Sequence, residues 1–134
     1  MAQLEFEDCL KVLVEKEGSD LYYSTGSPPA AKFYGTLNQL SDVPCEPGYI
    51  AKIAHSLMNK DQRTYFEDCP DLNLAISRNG LGRFRVNIFR QRGEVSLVIR
   101  RLGVSLPNYK DLGLPPVLPK LIMSKMGLVL FVGG

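Results

Sequence analysis

The chain opens with an apolar pattern that has helical periodicity. Apolar residues recur there at offsets of 0, 3, 4 and 7, at Phe6, Cys9, Leu10 and Leu13. This spacing places one apolar stripe on a helix. Gly18 follows as a stop signal, so the pattern predicts a first helix over roughly 4–17.

The next two segments, 21–25 and 30–37, are rich in aromatic and β-branched residues, which favours strands. Gly26-Ser27-Pro28-Pro29 lies between them and continues neither, so the two segments predict a hairpin. In its second arm one face is predicted to be buried, with Ala31, Phe33, Gly35 and Leu37.

Two further helices are predicted after this hairpin. Pro47 is placed in the first turn of a helix over roughly 47–58. Asn59 with Gln62 resembles a capping box that opens a third helix. That helix is expected to carry Tyr65 and Phe66 inward.

Alternation returns at 72–77, 82–90 and 94–101, with Asn79-Gly80 and Arg92-Gly93 as turns between these segments. This is the pattern of a three-stranded meander. Together with the preceding elements it predicts an α+β domain, an antiparallel sheet with helices on one side, over 1–102.

The stretch 103–116 contains three prolines and two glycines and is predicted to be a linker, with Gly103, Gly113 and Pro115 as hinge residues. In 117–134 a short apolar helix precedes Gly127, and Leu128–Val132 forms a continuous apolar run that predicts a buried strand. An apolar strand that leads into Gly133-Gly134 is typical of the start of a phosphate-binding loop. A buried strand with a flexible tail has the same pattern.

Composition excludes several classes of protein. The hydrophobic share of 45% and the net charge of +2 are those of an ordinary globular domain. No apolar run approaches the ~20 residues that span a bilayer, and the acidic start does not resemble a secretory signal. Three cysteines without C-x-x-C spacing and the single His55 predict neither a disulfide framework nor a metal site. The three thiols are therefore expected to be reduced and buried, and His55 to lie on the surface.

The positive charge is concentrated in one part of the sequence. Seven arginines and one acid fall between positions 78 and 101, a local charge of +6. On a strand, Arg83 and Arg85 point together away from a core of Phe84, Val86 and Ile88. Guanidinium groups suit phosphate oxygens, so the pair is a candidate phosphate contact. A solvated basic face that contributes little is the alternative.

Five segments, 14–21, 26–29, 82–92, 112–118 and 127–133, look like successive landmarks of the PilT/PilU retraction ATPases and occur in that family's order. The ending Leu130-Phe131-Val132-Gly133 is closer to the PilU branch. The resemblance implies a PAS-like N-terminal domain over 1–102, a hinge over 103–116, and the first part of a RecA-like ATPase domain over 117–134. The Walker A loop and the other catalytic motifs of the family would follow position 134.

The resemblance also implies a function for the longer parent protein. The parent would be a homo-hexameric ATP hydrolase that drives pilus retraction with ATP and Mg²⁺. It would be cytoplasmic and peripheral to the inner membrane. Its partners there would be the pilus platform protein and a sister retraction ATPase. No catalytic residue, metal or bound cofactor is expected within the chain itself, which would be a monomer or a dimer.

The family motif R-F-R-x-N-x-F-x-Q-R is matched in the meander, and arginines of this domain in the family help to hold ATP. The resemblance therefore implies ATP contacts across a domain boundary by Arg83, Arg85 and Arg100. Asn87, Gln91 and Arg92 complete the motif as supporting residues.

A different function class is a module that binds single-stranded RNA, because residues 82–89 superficially resemble the RNP1 strand of an RRM. That strand needs two aromatic residues two positions apart on one exposed face. Phe84 and Phe89 are five apart and are predicted on opposite faces, so no nucleic-acid partner is expected.

Overall fold

The computed structural model describes residues 4–103 and 108–133. The chain divides into two compact units, Met1–Val104 and Ser105–Gly134. Part of the predicted linker, 104–107, lies outside the described residues. Within the described ranges, none of the helices has the length and apolar composition needed to cross a bilayer.

The described part of the first unit contains three helices and six strands, which confirms the predicted α+β class. The helices are α1 (Phe6–Glu15), α2 (Tyr49–Leu57) and α3 (Lys60–Asp68). The strands are β1 (Asp20–Tyr23), β2 (Ala30–Phe33), β3 (Thr36–Gln39), β4 (Asp71–Arg78), β5 (Gly82–Gln91) and β6 (Glu94–Leu102).

The strands form one sheet in the order β3-β2-β1-β6-β5-β4, and every pairing in it is antiparallel. The core lies on one face of this sheet. Helices α1 and α2 contribute Leu10, Leu13 and Ile50 to it, and the predicted residues Phe84, Val86 and Ile88 of β5 are fully buried. Because side chains alternate along a strand, the opposite face carries the polar residues.

The second arm of the predicted hairpin is two strands rather than one. Tyr34 and Gly35 both have positive φ, 48° and 85°, and form a two-residue turn between β2 and β3. This turn ends the alternation, so Leu37 lies on the edge strand and is 61% exposed, against the prediction of burial.

The two predicted helices after the hairpin are present, with two corrections. Helix α2 begins after Gly48, whose left-handed φ of 80° separates Pro47 from the first turn. The capping box of α3 is confirmed, since Asn59 and Gln62 exchange side-chain to backbone bonds of 2.9 Å. Phe66 is buried as predicted, but Tyr65 is 54% exposed.

The buried thiols are confirmed for only two of the three cysteines. Cys9 and Cys45 lie in the core, and burial raises the pKa of the Cys9 thiol. Cys69, which follows α3, is exposed, against the prediction. His55 is exposed, as predicted.

Among the described residues of the second unit there is one short helix, α4 (Leu118–Ile122). The strand predicted over Leu128–Val132 is not formed, and its residues are exposed, with Val132 at 91%. A strand needs a neighbouring strand for its backbone hydrogen bonds. The described part of this unit contains no strand with which the segment pairs.

Candidate functional site

The open face of the sheet, opposite the core, contains a shallow pocket of about 370 Å³ formed by side chains of β4, β5 and β6. We call its lining the arginine pocket. It consists of Asn73, Arg85, Asn87, Val98 and Arg100. Two of the three arginines proposed from the family resemblance, Arg85 and Arg100, therefore lie in one concave site.

Strand register brings these residues together. Arg85 of β5 is directly opposite Arg100 of β6, and Asn87 is opposite Val98. On its other side Asn87 is opposite Asn73 of β4. Directly opposed residues on one face have Cβ atoms about 5 Å apart, so the two arginine side chains leave the sheet next to each other, and both line the pocket.

Arg100 is held by a carboxylate from the neighbouring strand. Its Nε donates to Oδ1 of Asp20 at 2.8 Å, and the Ser19 hydroxyl donates to Oδ2 at 2.8 Å. Burial would raise the pKa of Asp20, but the hydrogen bonds from Arg100 and Ser19 outweigh it and the pKa is lowered. The pKa of Arg100 is raised by the same contact. Both groups are therefore charged at neutral pH.

Arg85 has a neutral partner instead. Its Nε and Nη2 approach Oδ1 of Asn73 at 3.4 and 3.2 Å, while Asn87 donates to Asp71 at 2.8 Å. Arg83 lies two residues before Arg85 on the same exposed face. Within the described ranges, no carboxylate forms an ion pair with Arg83 or Arg85.

This arrangement fits an oxyanion. The guanidinium groups of Arg85 and Arg100 offer planar donors to phosphate or carboxylate oxygens, and Asn73 and Asn87 add neutral amides. The described residues contain no group of three or more His, Cys, Asp or Glu placed to hold a metal ion. The arginine pocket could thus bind the phosphates of a nucleotide, with any Mg²⁺ held by other residues.

The supporting residues Gln91 and Arg92 lie elsewhere. Arg92, with a φ of 52°, forms the turn between β5 and β6. Together with Gln91 it lines a separate depression beside Thr25, whose hydroxyl donates to Glu94 at 3.3 Å. Gln91 lies six positions after Arg85 along the strand, a distance of about 20 Å. Of the supporting motif, only Asn87 reaches the arginine pocket.

The hinge residues lie outside the sheet. Gly103 follows β6, and Gly113 and Pro115 belong to the second unit. Gly113 has a φ of 63°, a conformation that favours glycine. Their role as a hinge stays a prediction.

The other arginines of the 78–101 window face different surroundings, so its +6 charge is not one patch. Arg78 donates to Glu7 of α1 at 2.8 Å. Arg90 lies over the ring of Phe66 at 5.4 Å, on the core side of β5. The Nε of Arg101 is buried, and no partner for it is found among the described residues.

The sheet does not offer the stacking surface that the RNA alternative requires. Phe84 is fully buried in the core, and Phe89 lies on the opposite face of the same strand. No pair of exposed aromatic residues two positions apart is therefore present on β5, which lies wholly within the described residues.

Two residues of the site were not predicted from the sequence. Asp20 is 5% exposed and binds Arg100, 80 positions away, and no local pattern in the sequence joins the two. Asn73 belongs to the alternating segment 72–77. Its polar side chain at an open-face position of β4 was the available signal, because open-face residues of neighbouring strands meet.

Comparisons with known proteins agree with the resemblance found in the sequence. No protein-family model matches the chain. The type IV pilus ATPase PilU of Pseudomonas aeruginosa is 42% identical over 130 residues, 97% of this chain and 34% of PilU. The type IV pilus retraction ATPase PilT of the same organism is 27% identical over 97% of this chain and 38% of PilT. The chain thus spans about a third of the length of these relatives.

Solved structures give the same picture. A crystal structure of the pilus retraction motor PilT with bound ADP superposes with a TM-score of 0.80 at 34% identity, covering 92% of this chain and 36% of that one. The ATPase DotB of Legionella pneumophila superposes with a TM-score of 0.67 at 21% identity over 91% of this chain and 35% of DotB. The latter supports the fold alone.

Proposed function

We propose that this chain is the counterpart of the N-terminal domain of the PilT/PilU type IV pilus ATPases and that it performs this role in a motor that hydrolyses ATP to retract pili. Identity to PilU, 42%, exceeds identity to PilT, 27%, which supports the PilU branch. The motor activity belongs to a longer protein, because the chain spans only about a third of these relatives.

In this proposal, 1–102 is the N-terminal domain, 103–116 is the hinge, and 117–134 begins the ATPase domain. The exposed apolar run Leu128–Val132 supports the last assignment, because such a segment requires a sheet to bury it. The full-length protein, this chain continued by an ATPase domain, would form a homo-hexameric ring at the cytoplasmic side of the inner membrane. The platform protein of the pilus and a sister retraction ATPase would be its partners.

Arg85 and Arg100 are proposed to contact the phosphates of ATP bound to an ATPase domain, with Arg83 beside them. The observation that carries this proposal is the direct opposition of Arg85 and Arg100 across β5 and β6. Like charges placed opposite each other destabilise a sheet, by about 0.2–1 kcal/mol. An oxyanion between the two guanidinium groups would remove that repulsion.

Arg85→Ala or Arg83→Ala in the full-length protein should reduce ATP turnover roughly ten- to a hundredfold, as expected for a lost charge-assisted hydrogen bond. Their thermal stability should remain close to that of the parent, because both side chains are exposed. Arg90→Ala is the matched control, since it removes the same charge from the core side of the same strand. If Arg83→Ala and Arg85→Ala kept the turnover of the parent, the proposed ATP contacts would be contradicted, and the arginines would be a solvated basic face that contributes little.

A further inference from the structure

Asp20 is an unusual neighbour for a phosphate-binding arginine, because it places a negative charge beside an anion site. Its carboxylate is 8% exposed, whereas the Arg100 side chain bound to it is 65% exposed. An exposed ion pair contributes little to stability. A buried carboxylate differs from an exposed one, because its negative charge is left without a nearby positive charge when the arginine moves away.

Both oxygens of this carboxylate are engaged. Oδ1 accepts from Nε of Arg100, and Oδ2 accepts from the hydroxyl of Ser19. The backbone of Asp20 is held on both sides, since the residue is opposite Arg100 on β6 and Lys32 on β2. The acceptor that Arg100 meets is therefore fixed in position.

The contact uses only one of the five N–H groups of the guanidinium. Among the hydrogen bonds of the described residues, none uses the terminal nitrogens of Arg100. Holding Nε sets the plane of the guanidinium group and leaves the terminal N–H groups available. Arg100 itself lines the arginine pocket, beside Arg85.

We propose that Asp20 is a positioning residue, which fixes the Arg100 guanidinium so that its terminal N–H groups, with those of Arg85, bind one phosphate group of a nucleotide. This inference rests on the proposed function of the arginine pocket. It assigns to Asp20 a role through Arg100 and no contact with the ligand.

The positioning role is testable with Asp20→Asn. An effect of charge alone and a loss of Arg100 orientation predict opposite changes in ATP turnover for this variant. Removing a negative charge beside an anion site should by itself strengthen ATP binding and leave turnover unchanged or higher. Losing the orientation of Arg100 should lower kcat/KM for ATP, on the order of tenfold. We expect the decrease, measured on the full-length protein together with its thermal unfolding midpoint.

A double variant separates an effect through Arg100 from an effect on folding. Asp20→Asn combined with Arg100→Ala should have the same turnover as Arg100→Ala alone, because Asp20 has nothing left to position. Ser19→Ala keeps the ion pair and should reduce turnover less than Asp20→Asn. If Asp20→Asn does not fold, Arg100→Lys replaces it as the test, since lysine keeps the charge beside Asp20 but lacks the planar fork. It should be as impaired as Arg100→Ala.

The outcomes distinguish the inference from the proposal beneath it. Reduced turnover in Arg100→Ala with parental or higher turnover in Asp20→Asn, or in Arg100→Lys, would overturn the positioning role alone. The positioning role would also be overturned if the fold-reductions in turnover caused by Asp20→Asn and by Arg100→Ala multiplied fully in the double variant. Parental turnover in Arg85→Ala and Arg100→Ala would contradict the proposed function, and the positioning role would fall with it.

Discussion

At the scale of single residues, strand alternation decides what each arginine of the meander does. Arg83, Arg85 and Arg100 occupy open-face positions, while Arg90 lies over an aromatic ring on the other side of the sheet. Arg100 differs from its neighbours because Asp20 compensates its charge. Arginines that are clustered in the sequence therefore lie in several different environments in the folded chain.

The Asp20–Arg100 pair predicts a pH dependence of stability. The pKa of Asp20 is lowered in the folded chain, so its contribution is fully present above the unfolded value of about 3.9. It is lost as the pH falls through the lower folded value. Urea unfolding of the parent and of Asp20→Asn should thus differ most near neutral pH and converge below about pH 4. A gap that widens on acidification would contradict this.

Gly18 is a second residue with a specific packing role. A Cβ there would lie 2.6 Å from Cδ1 of Leu13 and 2.9 Å from Cε1 of Phe33. Gly18→Ala should therefore destabilise the chain by about 1–3 kcal/mol through overpacking. Gly133→Ala has nothing within 4 Å and serves as the control. Equal urea midpoints for the two variants would show that the Leu13 side chain moves aside without cost.

At the scale of elements, helices were predicted more reliably than strand register. The stripe of α1 and the capping box of α3 are local signals, and both are confirmed. Asn79-Gly80 is typical of a two-residue turn, but the structure pairs Arg78 with Gly82 across three residues. A two-residue turn would have paired Arg85 with Leu74, a core-side residue. Burial of the apolar face therefore overrides the local turn preference.

The Tyr34-Gly35 turn shows another limit of local patterns. Tyrosine is not a residue that signals a turn with positive φ, so one continuous strand was predicted where there are two. Ala31 lies in the core and Phe33 packs against it, as the pattern predicts, but the pattern ends at the turn.

The capping box gives an element-scale prediction. Asn59→Ala removes the side-chain acceptor for the Gln62 N–H and should cost about 1 kcal/mol of stability. Lys60→Ala, at the exposed neighbouring position, should change stability by no more than about 0.5 kcal/mol. Urea denaturation of both variants measures the difference. A loss in Lys60→Ala as large as that in Asn59→Ala would show that the cap itself is not responsible.

At the scale of the whole molecule, the fold class and the family could be predicted, whereas the site could be predicted only in part. Landmarks in sequence order predict the resemblance to the PilT/PilU ATPases, and PilU and PilT of Pseudomonas aeruginosa match 97% of the chain. Arg85 followed from the motif and strand alternation, and Arg100 followed from the resemblance to the family. Asp20 did not, because its partner is 80 residues away and only the β1–β6 register joins them.

The central claim is that the arginine pocket contacts ATP held by an ATPase domain. A photoreactive ATP analogue, with the crosslinking group on the γ-phosphate, tests this contact most directly in the full-length protein. Peptide mass spectrometry should find the label on β5 or β6, near Arg85 or Arg100, and excess unmodified ATP should abolish it. Labelling confined to the ATPase domain, with β5 and β6 unlabelled, would contradict the account.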